Sequence, residues 1–476
     1  MQRRRLFGRI KIFMNDYQLI VIGAGPGGYT AALHAAKLGK KTAVIECREA
    51  GGACVNRGCV PTKSLLHSSQ IYHEITHGQA AGITAGQVNF DLASVFAKKT
   101  EVSRRISQNI EEMFRNADID FFNGKAQITD AGTVRLTEPN GTVSDYTADN
   151  IIVATGAVPV VPSFPGSDLP GVLNSDQILD GDGKVYRSVI IIGGGIIGVE
   201  FATFYNDLDC QVTILESQHK ILPSMDRELG QNLEMILRKR GISIYEDAQI
   251  QSVEPYHEQL QVNFTNQRDL PDSVTADIVL CAIGRIPNLD GVFAENMHPE
   301  MNGNSIRTDE NFQSSIPGIY AIGDVSSRIK LAHAASAQGT ACVDRIFSSD
   351  NTLDTNVIPS CIYTRPEIAS VGMTEAEARE AGINVKVGKA LLFGNAKSII
   401  LEADRSFMKV LGDADTGKLI GAQLMCEHAT DMISQLAQAI ANGDAPSHLL
   451  KAVRPHPTIE EALTDALESL DRKMRA

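Results

Sequence analysis

Two stretches of the chain share one hydrophobic rhythm. In YQLIVIGAGPGGYTAALHAAKLGKKTAVIE, Tyr17 to Glu46, an unbroken apolar run meets a glycine cluster, apolar residues then recur at helical spacing, and a second apolar run ends on an acid. This order predicts a buried strand, a tight turn, an amphipathic helix and a second, parallel strand. SVIIIGGGIIGVEFATFYNDLDCQVTILE, Ser188 to Glu216, repeats it, and in both copies the first glycine (Gly23, Gly193) precedes the closing acid by 23 positions. Elsewhere KSLLHSSQIYHEI, from Lys63, and TDMISQLAQAIANG, ended by Gly443, carry helical apolar patterns, whereas GAVPVVPSFPGSDLPG and SSDNTLDTN read as joints.

A lone glycine cluster says little. One that follows a strand, opens a helix and is closed by an acid is a dinucleotide-binding fingerprint. Gly23, Gly25 and Gly28, and Gly193, Gly195 and Gly198 in the second copy, suit a tight turn, close approach to a pyrophosphate and close helix packing. The helix N-terminus adds unpaired N–H groups. Two copies predict two nucleotide sites. Glu216 ends the second strand where an adenosine ribose belongs, and its carboxylate accepts from a free 2′-hydroxyl. Against a 2′-phosphate ~4 Å away, at an effective dielectric of ~20, it is repelled by about 4 kcal/mol. The second site therefore favours NAD over NADP.

Length and composition fit this picture. The 476 residues suggest about three domains. A 43% apolar and 21% charged composition describes a soluble globular protein, and a net charge of −13 argues against nucleic acid or an anionic membrane as partner. No stretch approaches the ~20 apolar residues of a membrane span. The basic leader MQRRRLFGRIKIF, residues 1–13, lacks the apolar run and cleavage site of a secretory signal and reads as disordered or misannotated, with Met14 an alternative start. Cys47, Cys210, Cys281, Cys342, Cys361 and Cys426 are scattered, mostly in apolar surroundings, as in a reduced cytoplasmic protein.

The remaining cysteines, Cys54 and Cys59, lie in GGACVNRGCVPTKSLL. Zinc needs further close ligands, and none completes a set of four, so no metal is expected. A structural staple closing so short a loop adds little and is rare in the cytosol. A redox-active pair beside a dinucleotide site is favoured. In a straight helix positions five apart are separated by roughly 7.5 Å, beyond the usual disulfide span, so bonding requires a bend. Gly58 makes one cheap, and Pro61 is expected to bias Val60 away from helix before the pattern resumes at Lys63.

These residues, with VATGAVP (153–159), GGGIIGVE (193–200), AIGRIPN (282–288), YAIGDV (320–325), LAHAASAQG (331–339), IYTRPEIASVG (362–372) and RPHPTIEEAL (454–463), carry a resemblance covering nearly all the chain after Met14. The chain resembles the flavoprotein pyridine nucleotide-disulfide oxidoreductases of the two-cysteine type, and among them the dihydrolipoamide dehydrogenases. The resemblance implies an α/β fold: two Rossmann-like dinucleotide-binding domains and a C-terminal α+β interface domain. Its expected boundaries are 14–157 with 283–350 for FAD, 158–282 for NAD, and 351–476 for dimerisation.

By the same resemblance the first fingerprint binds FAD, with Glu46 on the adenosine ribose and Asp324 on the flavin's ribityl or phosphate arm. Thr155, Gly156 and Gly284 belong to further nucleotide-contacting motifs, and Ala332 and His333 open a helix whose positive end faces the flavin. Lys63 and Glu200 form a pair near flavin and nicotinamide, and Ile196 gates the nicotinamide pocket. His456, oriented by Glu461 five positions on, is the general base, through a helix expected to begin near Thr458. It reaches the site from the other subunit, which makes a homodimer a condition of activity.

The implied reaction is oxidation of dihydrolipoamide. A substrate thiolate attacks Cys54, the second substrate thiol closes the product ring, Cys59 remains as thiolate and passes the electron pair to FAD, and NAD⁺ takes the hydride. The dithiol is expected to arrive on a lipoyl-bearing protein of a 2-oxoacid dehydrogenase or glycine cleavage complex, or as a free dithiol. Ala53, Arg57, Arg454, Pro455 and Gln338 depart from the family pattern, and Arg454 is placed at the mouth of the dithiol channel. The alternative is an NAD(P)H-dependent reductase of another disulfide, of the glutathione reductase kind, which Glu216 opposes in its NADPH form.

Overall fold

The computed structural model describes residues 16–181, 184–348 and 357–476. The leader expected at 1–13 and the boundary expected at 350/351 lie outside them. The described residues form two compact units, one from 16–52, Ser107–Ala157 and 287–348, the other from Ala53–Ile106, Val158–Ile286 and 357–476.

The first unit is built on a parallel sheet in the order Asp120–Asn123, Thr42–Glu46, Tyr17–Ile22, Val143–Val153, Ile319–Ala321. Leu19, Ile20, Val21, Val44, Ile151 and Ile152 are buried, as strands covered on both faces require. Helix α1, Pro26–Lys37, starts on a proline whose missing N–H is no loss in a first turn. It packs against the helix Ala332–Phe347 where two glycines meet: a Cβ on Gly339 would stand 2.5 Å from the Gly27 carbonyl oxygen. The expected opening of the latter helix by Leu331, Ala332 and His333 is observed, with Leu331 as its N-cap.

The second unit repeats the plan with Ser243–Tyr245, Gln211–Leu215, Ser188–Ile192, Ile278–Cys281 and Val172–Asn174, all parallel. It adds a five-stranded antiparallel sheet, Ser360–Ile362, Glu367–Gly372, Lys418–Cys426, Phe407–Asp413 and Val385–Leu391. The helix expected before Gly443 runs Ala429–Asn442 and ends there at φ +68°, a conformation glycine adopts without strain. Three helices of this unit position the chemistry: α2 (Cys59–Thr76), α3 (Ile196–Asp207) and α4 (Glu461–Arg475).

Two sequence expectations need correction. Helix α2 begins at Cys59, not Lys63: its first bond runs from Thr62 N to Gly58 O, so Val60 and Pro61 lie in the first turn, where proline's missing donor is tolerated. Helix α4 begins at Glu461, not near Thr458. Among the described residues no helix is long and apolar enough to cross a membrane, and no cluster of three or more His, Cys, Asp or Glu suits a metal ion.

Candidate active site

Cys54 sits in a short helix, Gly52–Arg57, and Cys59 is the first residue of α2. Gly58 separates them at φ −159°, ψ −109°, which supplies the bend. Both cysteines are thiols here, and they hydrogen-bond one another. The bond from Cys54 is the main reason the Cys59 thiol falls to about 7; burial opposes this, and the Lys63 ammonium adds to it. Cys54 is pushed strongly up, first by its bond to Cys59 and then by burial. In this pair the proton is favoured on Cys54 and negative charge on Cys59. Cys59 also stands at the positive end of an 18-residue helix.

One turn into α2, Lys63 Nζ donates to both carboxylate oxygens of Glu200, at 2.7 and 2.9 Å. Glu200 lies one turn into α3, its side chain 3% exposed, and also accepts from the Tyr363 backbone N–H at 3.0 Å. The Lys63 ammonium lies 4.6 Å from the centre of the Tyr363 ring. Further along the same two helices, Ser69 Oγ donates to Asp207 Oδ2 at 2.9 Å, and Arg365 pairs with Asp207. Cys59 and Lys63 therefore ride on a helix tied to α3 at two points, Lys63 and Ser69. Sequence reading missed Tyr363, Ser69, Asp207 and Arg365. Tyr363 and Arg365 fall within the motif 362–372, so proximity to a recognised motif was the only signal.

The two glycine turns have nearly the same geometry. Gly23 and Gly193 take φ +103° and +108°; Cβ atoms there would meet the carbonyl oxygens of Ala154 and Ala282 at 2.4 and 2.5 Å. Cβ atoms on Gly28 and Gly198 would stand 1.9 Å from the Gly23 and Gly193 oxygens. These four glycines are demanded by the fold itself. Gly25 and Gly195 are different: a Cβ would meet nothing nearer than 3.9 Å at the first and nothing within 4 Å at the second. Both cap helices without a side-chain partner. The free space and open helix N-termini suit a dinucleotide pyrophosphate.

Each closing acid is fixed by its own turn. Glu46 accepts from Ala24 N at 2.7 Å and Arg48 N at 2.9 Å; Glu216 accepts from Gly194 N at 2.6 Å and Gln218 N at 2.7 Å. Carboxylate oxygens have further lone pairs, so both retain capacity for ribose hydroxyls. In the first unit, Thr155 and Gly156 follow the strand Val143–Val153, Asp324 lies in the turn Gly323–Val325, and Gln338 Oε1 accepts from Gly323 N at 2.7 Å. In the second, Ile196 is the first residue of α3, and Gly284 follows the strand Ile278–Cys281 at φ +110°.

His456 Nδ1 lies 2.9 and 3.2 Å from the two oxygens of Glu461, and the imidazole side chain is 71% exposed. Thr458 N–H also donates to Glu461, at 2.9 Å, and this bond, followed by His456, holds the carboxyl below its ordinary range. The acid orients the ring through Nδ1 and leaves Nε2 outward. The same unit exposes several large apolar side chains, Leu391, Phe393, Ile399, Ile400, Leu401 and Val453, with Phe393 83% and Val453 97% exposed, and Asn395 among them bonds the His456 segment at Thr458 O. Exposed large apolar side chains in such number suit an association surface.

Comparison with known proteins agrees with this geometry. Residues 17–339 match the model of the pyridine nucleotide-disulphide oxidoreductases, and residues 358–467 match their dimerisation domain. The dihydrolipoyl dehydrogenase of Chlorobaculum tepidum is 36% identical over 96% of this chain and 98% of its own. One from Bacillus subtilis is 33% identical over 96% and 98%. Among solved structures, LpdA of Mycobacterium tuberculosis superposes with a TM-score of 0.88 at 26% identity, covering 95% of this chain and 99% of its own. A Cu(II) complex of the HOCl-induced flavoprotein disulfide reductase RclA of Escherichia coli gives 0.84 at 28%, covering 96% and 99%. The chain belongs to the pyridine nucleotide-disulphide oxidoreductases, enzymes that use FAD and NAD(H).

Proposed function

We propose that this enzyme oxidises dihydrolipoamide to lipoamide with NAD⁺ as the final acceptor. The observation that carries this reading is geometric: Cys54 and Cys59 flank the Gly58 bend, and Lys63, one turn along the same helix, is paired with the buried Glu200. In the oxidised enzyme the two sulfurs are joined. His456 of the partner subunit takes a proton from the substrate dithiol, and the resulting thiolate attacks Cys54 Sγ, forming a mixed disulfide and releasing Cys59 as thiolate. The second substrate sulfur displaces Cys54, which leaves as thiol with the remaining proton. FAD held in the first unit would supply the electron acceptor for the Cys54–Cys59 dithiol, with NAD⁺ as the final acceptor.

The residues divide accordingly. Gly23, Gly25, Gly28, Glu46, Thr155, Gly156, Asp324, Ala332 and His333 hold FAD. Gly193, Gly195, Gly198, Glu216, Gly284 and Ile196 hold NAD, and Lys63 with Glu200 favours negative charge at the redox centre. By ligand the chain divides at 14–157 with 283–350, 158–282 and 351–476. The match to the dimerisation domain and the exposed apolar side chains within it support a homodimer. The dithiol is carried by a lipoyl-bearing protein of a 2-oxoacid dehydrogenase or glycine cleavage complex, or is free, and the enzyme works in the cytoplasm.

A second reading, NAD(P)H-dependent reduction of another disulfide, is favoured by the charge of Arg57 between the cysteines. The two separate in one experiment: kcat/KM for dihydrolipoamide with NAD⁺ against kcat/KM for glutathione disulfide with NADPH. A higher value for the first supports the proposal; a higher value for the second replaces it.

A further inference from the structure

Arg454 lies two residues before His456, yet its side chain is only 5% exposed. Its Nη1 donates to Thr464 Oγ1 at 3.1 Å, and its Nε stands 3.9 Å from Glu460 Oε1. That Nε is buried without a hydrogen-bond partner among the described residues. A buried guanidinium at the first turn of a helix is poorly placed for the helix dipole, which disfavours cations there. The contacts it makes there are with the segment and the helix that carry the base.

Its neighbours flank Glu461, the acid that holds the base. Thr464 lies on α4 one turn beyond Glu461. Glu460, beside Arg454, also accepts from Gln435 Nε2 at 2.9 Å. Between the two ends, Thr458 Oγ1 donates to Pro455 O at 2.8 Å, and Asn395 Nδ2 donates to Thr458 O at 2.9 Å. The segment carrying His456 is thus a strap: Arg454 ties its start to α4, and Glu461 closes its end on the imidazole. With its head group turned into the strap, Arg454 is badly placed to select substrate.

We propose that Arg454 is a positioning residue that holds His456 against Glu461, and acts on the reaction only through that pair. This rests on the reading of His456 as the base. A group acting through the dyad loses its effect once the dyad is broken, whereas a substrate contact or a general structural prop does not.

The test is a double-mutant cycle in the full-length FAD-loaded enzyme: Arg454→Ala, Glu461→Gln and both together, with Arg454→Lys as the conservative variant. The expected result is a kcat at least about tenfold lower in Arg454→Ala with KM for the dithiol changed by less than about twofold, and partial recovery in Arg454→Lys. The double variant is expected to lose no more than Glu461→Gln alone. Additive losses in kcat, or a change confined to KM, would overturn the proposal, as would Arg454→Ala that is thermally weakened with unchanged kcat. If the wild type fails to turn over dihydrolipoamide, the substrate reading falls instead. The cycle is then read on NADH-dependent reduction of an aryl disulfide such as 5,5′-dithiobis(2-nitrobenzoic acid), with the same criteria.

Discussion

Cys54 and Cys59 are hydrogen-bonded across the Gly58 bend, and this contact, ahead of the Lys63 charge, lowers the Cys59 thiol. The dithiol form of the enzyme therefore has a defined polarity before any substrate arrives. On the proposed mechanism, electrons should leave from Cys59 while Cys54 exchanges partners with the substrate.

The Cys59 thiol of the reduced protein should titrate near 7, followed as thiolate absorbance at 240 nm. Its charged form is favoured, so the thiolate is present above that pH and disappears as pH falls through it. Removing the donor in Cys54→Ala, or the cation in Lys63→Met, should raise the midpoint, by roughly one unit or more. An unmoved midpoint in both variants would separate the sulfurs from their assigned neighbours.

The second fingerprint separates glycines needed by the fold from one left for a ligand. Gly195→Ala should keep the wild-type unfolding profile, since a Cβ there meets nothing within 4 Å, while the Kd for NADH rises roughly tenfold or more. Gly198→Ala forces a Cβ to 1.9 Å from Gly193 O and should lower the thermal midpoint as well. Calorimetric titration and thermal unfolding of the two variants check this.

Glu216 should set cofactor choice. Repulsion of about 4 kcal/mol corresponds to a preference for NAD⁺ over NADP⁺ on the order of 10³ in kcat/KM. Its carboxylate also holds Gly194 N and Gln218 N. Glu216→Ala should therefore narrow the preference while weakening both cofactors.

Lys409 and Asp226, with side chains 5% and 7% exposed, pair at 2.8 Å. Lys409→Ala strands a buried carboxylate and should cost about 3–5 kcal/mol. Lys409→Met combined with Asp226→Asn removes both charges and keeps an N-cap for the helix Arg227–Lys239, so it should be milder. Urea unfolding midpoints compare them.

Phe393→Asp, at a position 83% exposed, should give monomers in sedimentation velocity. With His456 supplied by the partner subunit, dithiol oxidation should then fall by at least about two orders of magnitude, the usual share of general base catalysis. NADH-driven flavin reduction should survive.

Much of this was legible in the chain because its signals are local. The apolar runs, the glycine clusters and the acid 23 positions on each encode one strand-turn-helix-strand unit, and both units are present as read. The His456–Glu461 pair was equally local, five residues apart. What escaped depends on tertiary contact. Tyr363 N–H reaches Glu200 from 163 positions away, and Asp207 takes its partners from α2 and from Arg365. No periodicity marks such pairs. Helix starts were misplaced for local reasons: at Cys59 the helix accepts proline in its first turn, and at Glu461 the acid, first residue of its helix, is already bonded back to Thr458 N and the imidazole.

The central claim is that Cys54 and Cys59 form a disulfide that cycles with the cofactors, and mass spectrometry tests it directly. Arg57 lies between the cysteines, so trypsin separates the peptides Glu49–Arg57 and Gly58–Lys63 unless a disulfide joins them. Air-oxidised enzyme, denatured with iodoacetamide, is expected to yield the two peptides linked and unalkylated. After one equivalent of NADH without oxygen, both should appear separate and carbamidomethylated. Two alkylated cysteines in the oxidised enzyme, or a link that NADH leaves intact, would contradict the role assigned to the pair.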